Sequence, residues 1–104
     1  MKFLVKISIP IHKGNAAIKD GSLPKTIQSI LTEQKPEAAY FVEDNGTRTG
    51  YIVVEIRNAS ELAATAEPWF LAFDAKVEFH LAMTPDDLMK AGPAIEQAVK
   101  KYGR

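Results

Sequence analysis

The chain contains no cysteine, so disulfides, thiolate nucleophiles and cysteine-ligated zinc are all excluded. It also lacks any excess of charge. Thirteen Lys and Arg balance thirteen Asp and Glu, a formal net charge of +0 at pH 7. No global field favours nucleic acid or an anionic membrane surface. No apolar run approaches the ~18 residues that a membrane-spanning helix needs. The opening MKFLVKISIPI is interrupted by Lys6 and followed by no small-residue cleavage site, so it reads as a strand rather than a signal peptide. Histidine is scarce: His12 and His80 fall on different expected elements and make no metal site. Gly14, Gly21, Gly46 and Gly50 lack the spacing of a phosphate-cradling loop. The expectation is a cytoplasmic protein without metal or cofactor, and with neither nucleic acid nor membrane as partner.

What is present suits one ordinary domain. The 104 residues are 46% hydrophobic and 25% charged, enough for a single modest core spanning 1–104. Period-two alternation marks four strands. In the first, Phe3, Val5, Ile7 and Ile9 share an apolar face until Pro10 ends the ladder. EAAYFVED and YIVVEIR flank DNGTRTG, where Asn45-Gly46 suits a tight hairpin turn and Gly50 offers a bulge. KVEFHL is the fourth, with Val77, Phe79 and Leu81 on one side. Between strands one and two the pattern turns helical, broken at Gly21, with Ser22 as the expected cap and Leu23, Ile27, Ile30 and Leu31 as the buried stripe. Asn58 with Glu61 opens another helix as a capping box, and Pro68 is expected to interrupt it before WFLAF. Trp69 and Phe70 are expected to pack that segment on the sheet. Thr84, Pro85 and Asp87 start a C-terminal helical extension over 84–104, broken at Gly92-Pro93, with Ile95, Val99 and Tyr102 on one side. The sequons Asn45-Gly46-Thr47 and Asn58-Ala59-Ser60 read as turn and cap chemistry.

The order strand, helix, strand, strand, helix, strand is the α+β, ferredoxin-like βαββαβ arrangement. It predicts a four-stranded antiparallel sheet, the first and third strands central, with two main helices on one face and an extra C-terminal helix. The other face then has no cover within the chain. It carries Leu4, Lys6 and Ser8, Tyr40 and Val42, Tyr51, Val53 and Glu55, and Glu78, His80 and Ala82. Such a face is too apolar to stay wet and too charged for a plain sandwich interior, which points to a homodimer.

The opening MKFLVKISIP and the run AEPWFLAFDAKVEFHLAMTPDDL resemble the dimeric α/β-barrel superfamily. That group includes muconolactone isomerases, small antibiotic-biosynthesis monooxygenases and several small bacterial families of unassigned activity, one of which is nearest. The resemblance covers the element order of the whole chain, and its most specific block is structural. It implies face-to-face packing of two sheets, with a small organic ligand between sheet and helices or between sheets. No characterised catalytic set maps onto this chain position by position, and the histidine patterns of haem-binding relatives are absent.

Read from the residues alone, His80 is the candidate catalytic acid or base, with Glu78 two positions away on the same face. Lys6 is the candidate anion clamp, and Tyr40, Tyr51, Glu55 and Glu78 complete a ligand-binding set for a small organic acid or aromatic. The competing reading makes Lys6 with Glu55 or Glu78 a cross-strand ion pair, His80 a rim residue and both tyrosines interface filler. Function divides accordingly between a cofactor-independent, isomerase- or monooxygenase-like enzyme and a non-catalytic dimerisation or assembly module. Whether the polar groups of this face converge on a void or pair with one another separates the two. A sensor domain without its effector is the third and weakest option.

Overall fold

A computed structural model describes residues 1–103. The strands are β1 (Lys2–Ile9), β2 (Ala38–Asp44), β3 (Thr47–Glu55) and β4 (Lys76–Leu81). The helices are α1 (Ile11–Lys19), α2 (Ser22–Gln34), α3 (Ser60–Phe73), α4 (Pro85–Lys90) and α5 (Gly92–Tyr102). The strands form one antiparallel sheet in the order β2-β3-β1-β4, with β1 and β3 central as the ferredoxin-like order requires.

The apolar face of that sheet meets α1, α2 and α3. Val5, Ile7 and Ile52 are each at most 1% exposed, and they pack with Leu23, Ile30, Trp69 and Phe73. Trp69 is fully enclosed, and its indole N–H donates to Gln34 Oε1 at 3.3 Å, so burial leaves no orphaned donor. The expected pair Trp69/Phe70 is corrected to Trp69/Phe73. Phe70 lies on the outer side of α3, whereas Phe73, four positions after Trp69, shares the buried face. Leu81 keeps the predicted face through its register with Phe3, yet it is 59% exposed at the end of the sheet.

Local rules mostly hold, with four corrections. Asn45 and Gly46 have φ of 54° and 76°, the paired left-handed conformations of a tight hairpin turn. Gly50 makes no bulge, however. It sits in unbroken register with Ile7 and Phe41, and the Phe41 ring occupies the space a side chain would take. Ser22 does not cap α2; Asp20 Oδ1 accepts from the Ser22 N–H at 2.8 Å instead. At α3, Glu61 Oε2 accepts from the Arg57 N–H and Glu61 Oε1 from the Asn58 side-chain amide, so the Asn58 side chain caps no helix N–H and the capping box does not form. Pro68 does not interrupt α3. The buried anchors Ala66, Trp69 and Phe73 hold the helix through it, against a local cost of about 3 kcal/mol for an interior proline.

The C-terminal extension behaves differently. Thr84 and Asp87 form a complete reciprocal capping box that starts α4. Helix α5 follows after a break at Ala91. Neither α4 nor α5 contains a buried residue. The molecule measures 59 × 28 × 20 Å with a radius of gyration of 17.5 Å. A compact chain of this size has about 13 Å. The difference is the arm, which projects from the sheet domain instead of folding back onto it.

Candidate functional site

On the uncovered face the strand register sorts the candidate residues into rows. Tyr40 pairs with Tyr51, Tyr51 with Lys6, and Lys6 with Glu78, so four of the six lie on one line across all four strands. His80 is in the neighbouring row, opposite Leu4, which in turn faces Val53. Its side chain is exposed near the end of β4. Glu55 is opposite Lys2, and its Oε1 accepts from the Met1 ammonium at 2.9 Å. That contact draws the Glu55 carboxyl below its ordinary range. The face therefore brings Lys6, Tyr40, Tyr51 and Glu78 together, and holds His80 and Glu55 apart from them.

The partner of Lys6 is neither Glu55 nor Glu78. Its ammonium lies 2.8 Å from Asp44 Oδ2, and the Tyr51 hydroxyl donates to the same oxygen at 3.1 Å. Asp44 ends β2, so both side chains lean along the sheet to reach it across the Thr49–Ser8 row. Thr49 lies in that row and is only 2% exposed. The bond with Asp44 raises the Lys6 pKa, with Glu78 adding a smaller push and partial burial opposing it. The Asp44 carboxyl is lowered, first by Lys6 and then by Tyr51. Half-buried ion pairs of this kind are charge-neutral at pH 7 and shielded only in part from solvent screening. Asp44 escaped the sequence reading because strand pairing alone places it two rows from Lys6.

Around this neutralised triad the face mixes apolar side chains with Glu78 and the exposed His80. Leu4 is 36% exposed, Val42 44% and Tyr40 70%. Lys6, Asp44 and Tyr51 pair with one another, whereas Glu78 and His80 enter no ion pair among the described residues. Among the described residues no three His, Asp or Glu side chains stand close enough to hold a metal ion. No helix of the described residues is long and apolar enough to cross a membrane.

A hollow does exist, on the opposite side of the sheet. About 330 Å³ opens between α2 and the β2–β3 hairpin, walled by Ile9, Leu23, Ile27 and Phe41, with Glu43 and Arg48 at its rim. It is not legible in the sequence because its walls come from four separated segments and depend on the position of α2. The signal available was Gly50, whose missing side chain admits the Phe41 ring: a Cβ there would lie 3.0 Å from it.

No protein-family model matches the chain, and no curated protein sequence matches it. Among solved structures, it is similar to a formyltetrahydrofolate deformylase from Pseudomonas putida over 79% of this chain, at 12% identity and a TM-score of 0.48. The similar region spans 29% of that protein's length, and at this level the likeness carries no functional argument.

Proposed function

We propose that the chain is a homodimeric module that packs its uncovered sheet face against a second copy, in the manner of the dimeric α/β barrels it resembles, and that it binds a small organic ligand. The observation that supports this most is the Lys6–Asp44–Tyr51 triad. The charges of Lys6 and Asp44 are satisfied by each other, so covering the triad itself leaves neither of them unpaired, while Leu4, Val42 and Tyr40 supply apolar area that a partner would remove from water. Pairing of these groups with one another favours assembly over catalysis on this face. The ligand half of the reading is favoured by the apolar hollow beside α2, whose size is at the lower end of ordinary small-molecule sites.

Sedimentation equilibrium at micromolar concentration tests the assembly. The expected species has twice the 11.5 kDa mass of the chain. Placing a carboxylate at the centre of the face, as Leu4→Asp on β1 or Val53→Asp on β3, is expected to yield monomers with unchanged far-ultraviolet circular dichroism. A monomeric parent protein removes the reading.

A further inference from the structure

Arg48 is the one residue at the rim of the hollow beside α2 that brings a fixed positive charge to an otherwise apolar space. It lies on β3 opposite Ile9, on the helix-covered side of the sheet. One guanidinium nitrogen, Nη1, donates to Asn15 Oδ1 of α1 at 3.0 Å. Among the described residues no carboxylate forms an ion pair with it, although Glu43 is its direct cross-strand neighbour. The Glu43 carboxylate is turned to the hairpin instead, where Oε2 accepts from the Gly46 N–H at 2.7 Å. Arg48 thus keeps most of its planar set of donors for an outside acceptor.

Its position is built. A Cβ on Gly14 would come within 2.8 Å of Arg48 Nη1 and 3.3 Å of its Cδ, so the exposed Arg48 side chain lies directly against α1 and would have to shift to make room for a larger residue there. A second hollow of about 340 Å³, lined by Asn15, Gly46 and Thr47, shares Glu43 and Arg48 with the first. Arg48 therefore lines both an apolar chamber and a more polar vestibule, and its guanidinium is hydrogen-bonded to Asn15 of the vestibule. A ligand matching both needs an apolar body and an anionic head. A planar carboxylate fits the guanidinium with two parallel hydrogen bonds.

We propose that this chamber is a binding site for a carboxylic acid with a small apolar or aromatic body, which enters between Ile27 and Phe41 while its carboxylate is taken by Arg48. The proposal rests on the reading that the protein binds a small organic ligand, and it moves the site from the uncovered sheet face to the helix side. Free acids and apolar amino acids share this chemistry. Glu43 separates them, because only an amino acid offers it an ammonium.

Titration of the ¹⁵N-labelled full chain, followed by two-dimensional NMR, tests it with phenylacetate, hexanoate, phenylalanine and the neutral 2-phenylethanol. Saturable shifts are expected at Gly14, Phe41 and Arg48 with phenylacetate or hexanoate, and binding about tenfold weaker for the alcohol, the usual loss for one charge-assisted contact. Arg48→Gln is expected to bring the acid down to the alcohol's affinity and to leave the alcohol unchanged. Gly14→Ala, which displaces the guanidinium while keeping it, is expected to do the same. Phenylalanine binding that is tighter than phenylacetate and lost in Glu43→Gln identifies the acid as an amino acid, with the Arg48 assignment standing. Equal affinity for acid and alcohol, or no effect of Arg48→Gln, overturns the carboxylate assignment while ligand binding survives. Shifts confined to Tyr40, Tyr51 and His80 overturn the chamber and return the ligand to the sheet face. If no probe shifts any resonance, the chamber and the ligand-binding reading fall together.

Discussion

Asp44 decides the character of the uncovered face, and it does so from the end of an edge strand. Without its carboxylate, the Lys6 ammonium and the Tyr51 hydroxyl lose their common acceptor. Asp44→Asn is therefore expected to return the Lys6 pKa toward the ordinary lysine value, measurable by NMR titration of its Nζ. The pair also sets a pH window. Because the folded Asp44 pKa lies below its ordinary 3.8, its stabilising contribution is complete well above that value and is lost as pH falls through the depressed one. Because the folded Lys6 pKa lies above 10.5, its contribution is complete below that value and is lost as pH rises through the raised one. Chemical denaturation across pH is expected to show both losses in the parent chain and to show them reduced in Asp44→Asn. At this scale the sequence revealed half of the arrangement. Tyr40, Tyr51, Lys6 and Glu78 were legible as one face because a strand has period two. The lean of two long side chains across an intervening row is not encoded in any period, so the acceptor was not legible. Arg48 and Gly14 were hidden for a related reason: they are brought together only when α1 docks on β3.

Elements were easier to read than their interruptions. The two-residue turn at Asn45-Gly46 was visible in the sequence because few residues accept two consecutive left-handed conformations. Gly46 is at φ 76°, and a Cβ added there would meet nothing within 4 Å, so the strain of replacing it is purely of the backbone. Gly46→Ala is expected to cost about 1–2 kcal/mol in urea denaturation, with the sheet register preserved. Asn45→Gly is expected to cost less, since glycine accepts the same turn without strain. The proline rule failed at Pro68 because it weighs one missing hydrogen bond against nothing. In α3 the weight on the other side is Trp69 and Phe73, both buried against the sheet. A buried aromatic truncated to alanine typically costs about 3–5 kcal/mol, so such anchors outweigh a local break. Gly50 failed as a bulge for a similar reason, since its space is used by a neighbouring ring rather than by an extra residue.

Over the whole molecule, the βαββαβ order, the central pair of strands and the covered face were all legible, because each follows from strand alternation and a short list of allowed topologies. The direction of the C-terminal arm was not. Its capping box is local and readable, but where a helix points after its last contact depends on what it packs against, and α5 packs chiefly on α4 with no residue buried. Ile95, Val99 and Tyr102 are 50%, 57% and 76% exposed, an apolar stripe with no partner in its own subunit. Deleting 92–104 is accordingly expected to leave the denaturation midpoint of the sheet domain close to that of the full chain. The same deletion is expected to weaken self-association in sedimentation equilibrium. A large fall in the midpoint would instead place the stripe in the intrachain core.

The arm has a spectroscopic consequence as well. Helix α5 has 11 residues and buries none of them, and isolated helices shorter than about 12–15 residues are marginal in water. If the proposed dimer covers its stripe, its winding is coupled to that contact and helicity becomes a reporter of association. Ellipticity per residue at 222 nm is expected to deepen as protein concentration is raised through the association range, and amide hydrogen exchange in α5 to slow in parallel. The chain lacking 92–104 is expected to give the same ellipticity per residue at every concentration. Dilution would thus unwind the arm long before it disturbs the sheet.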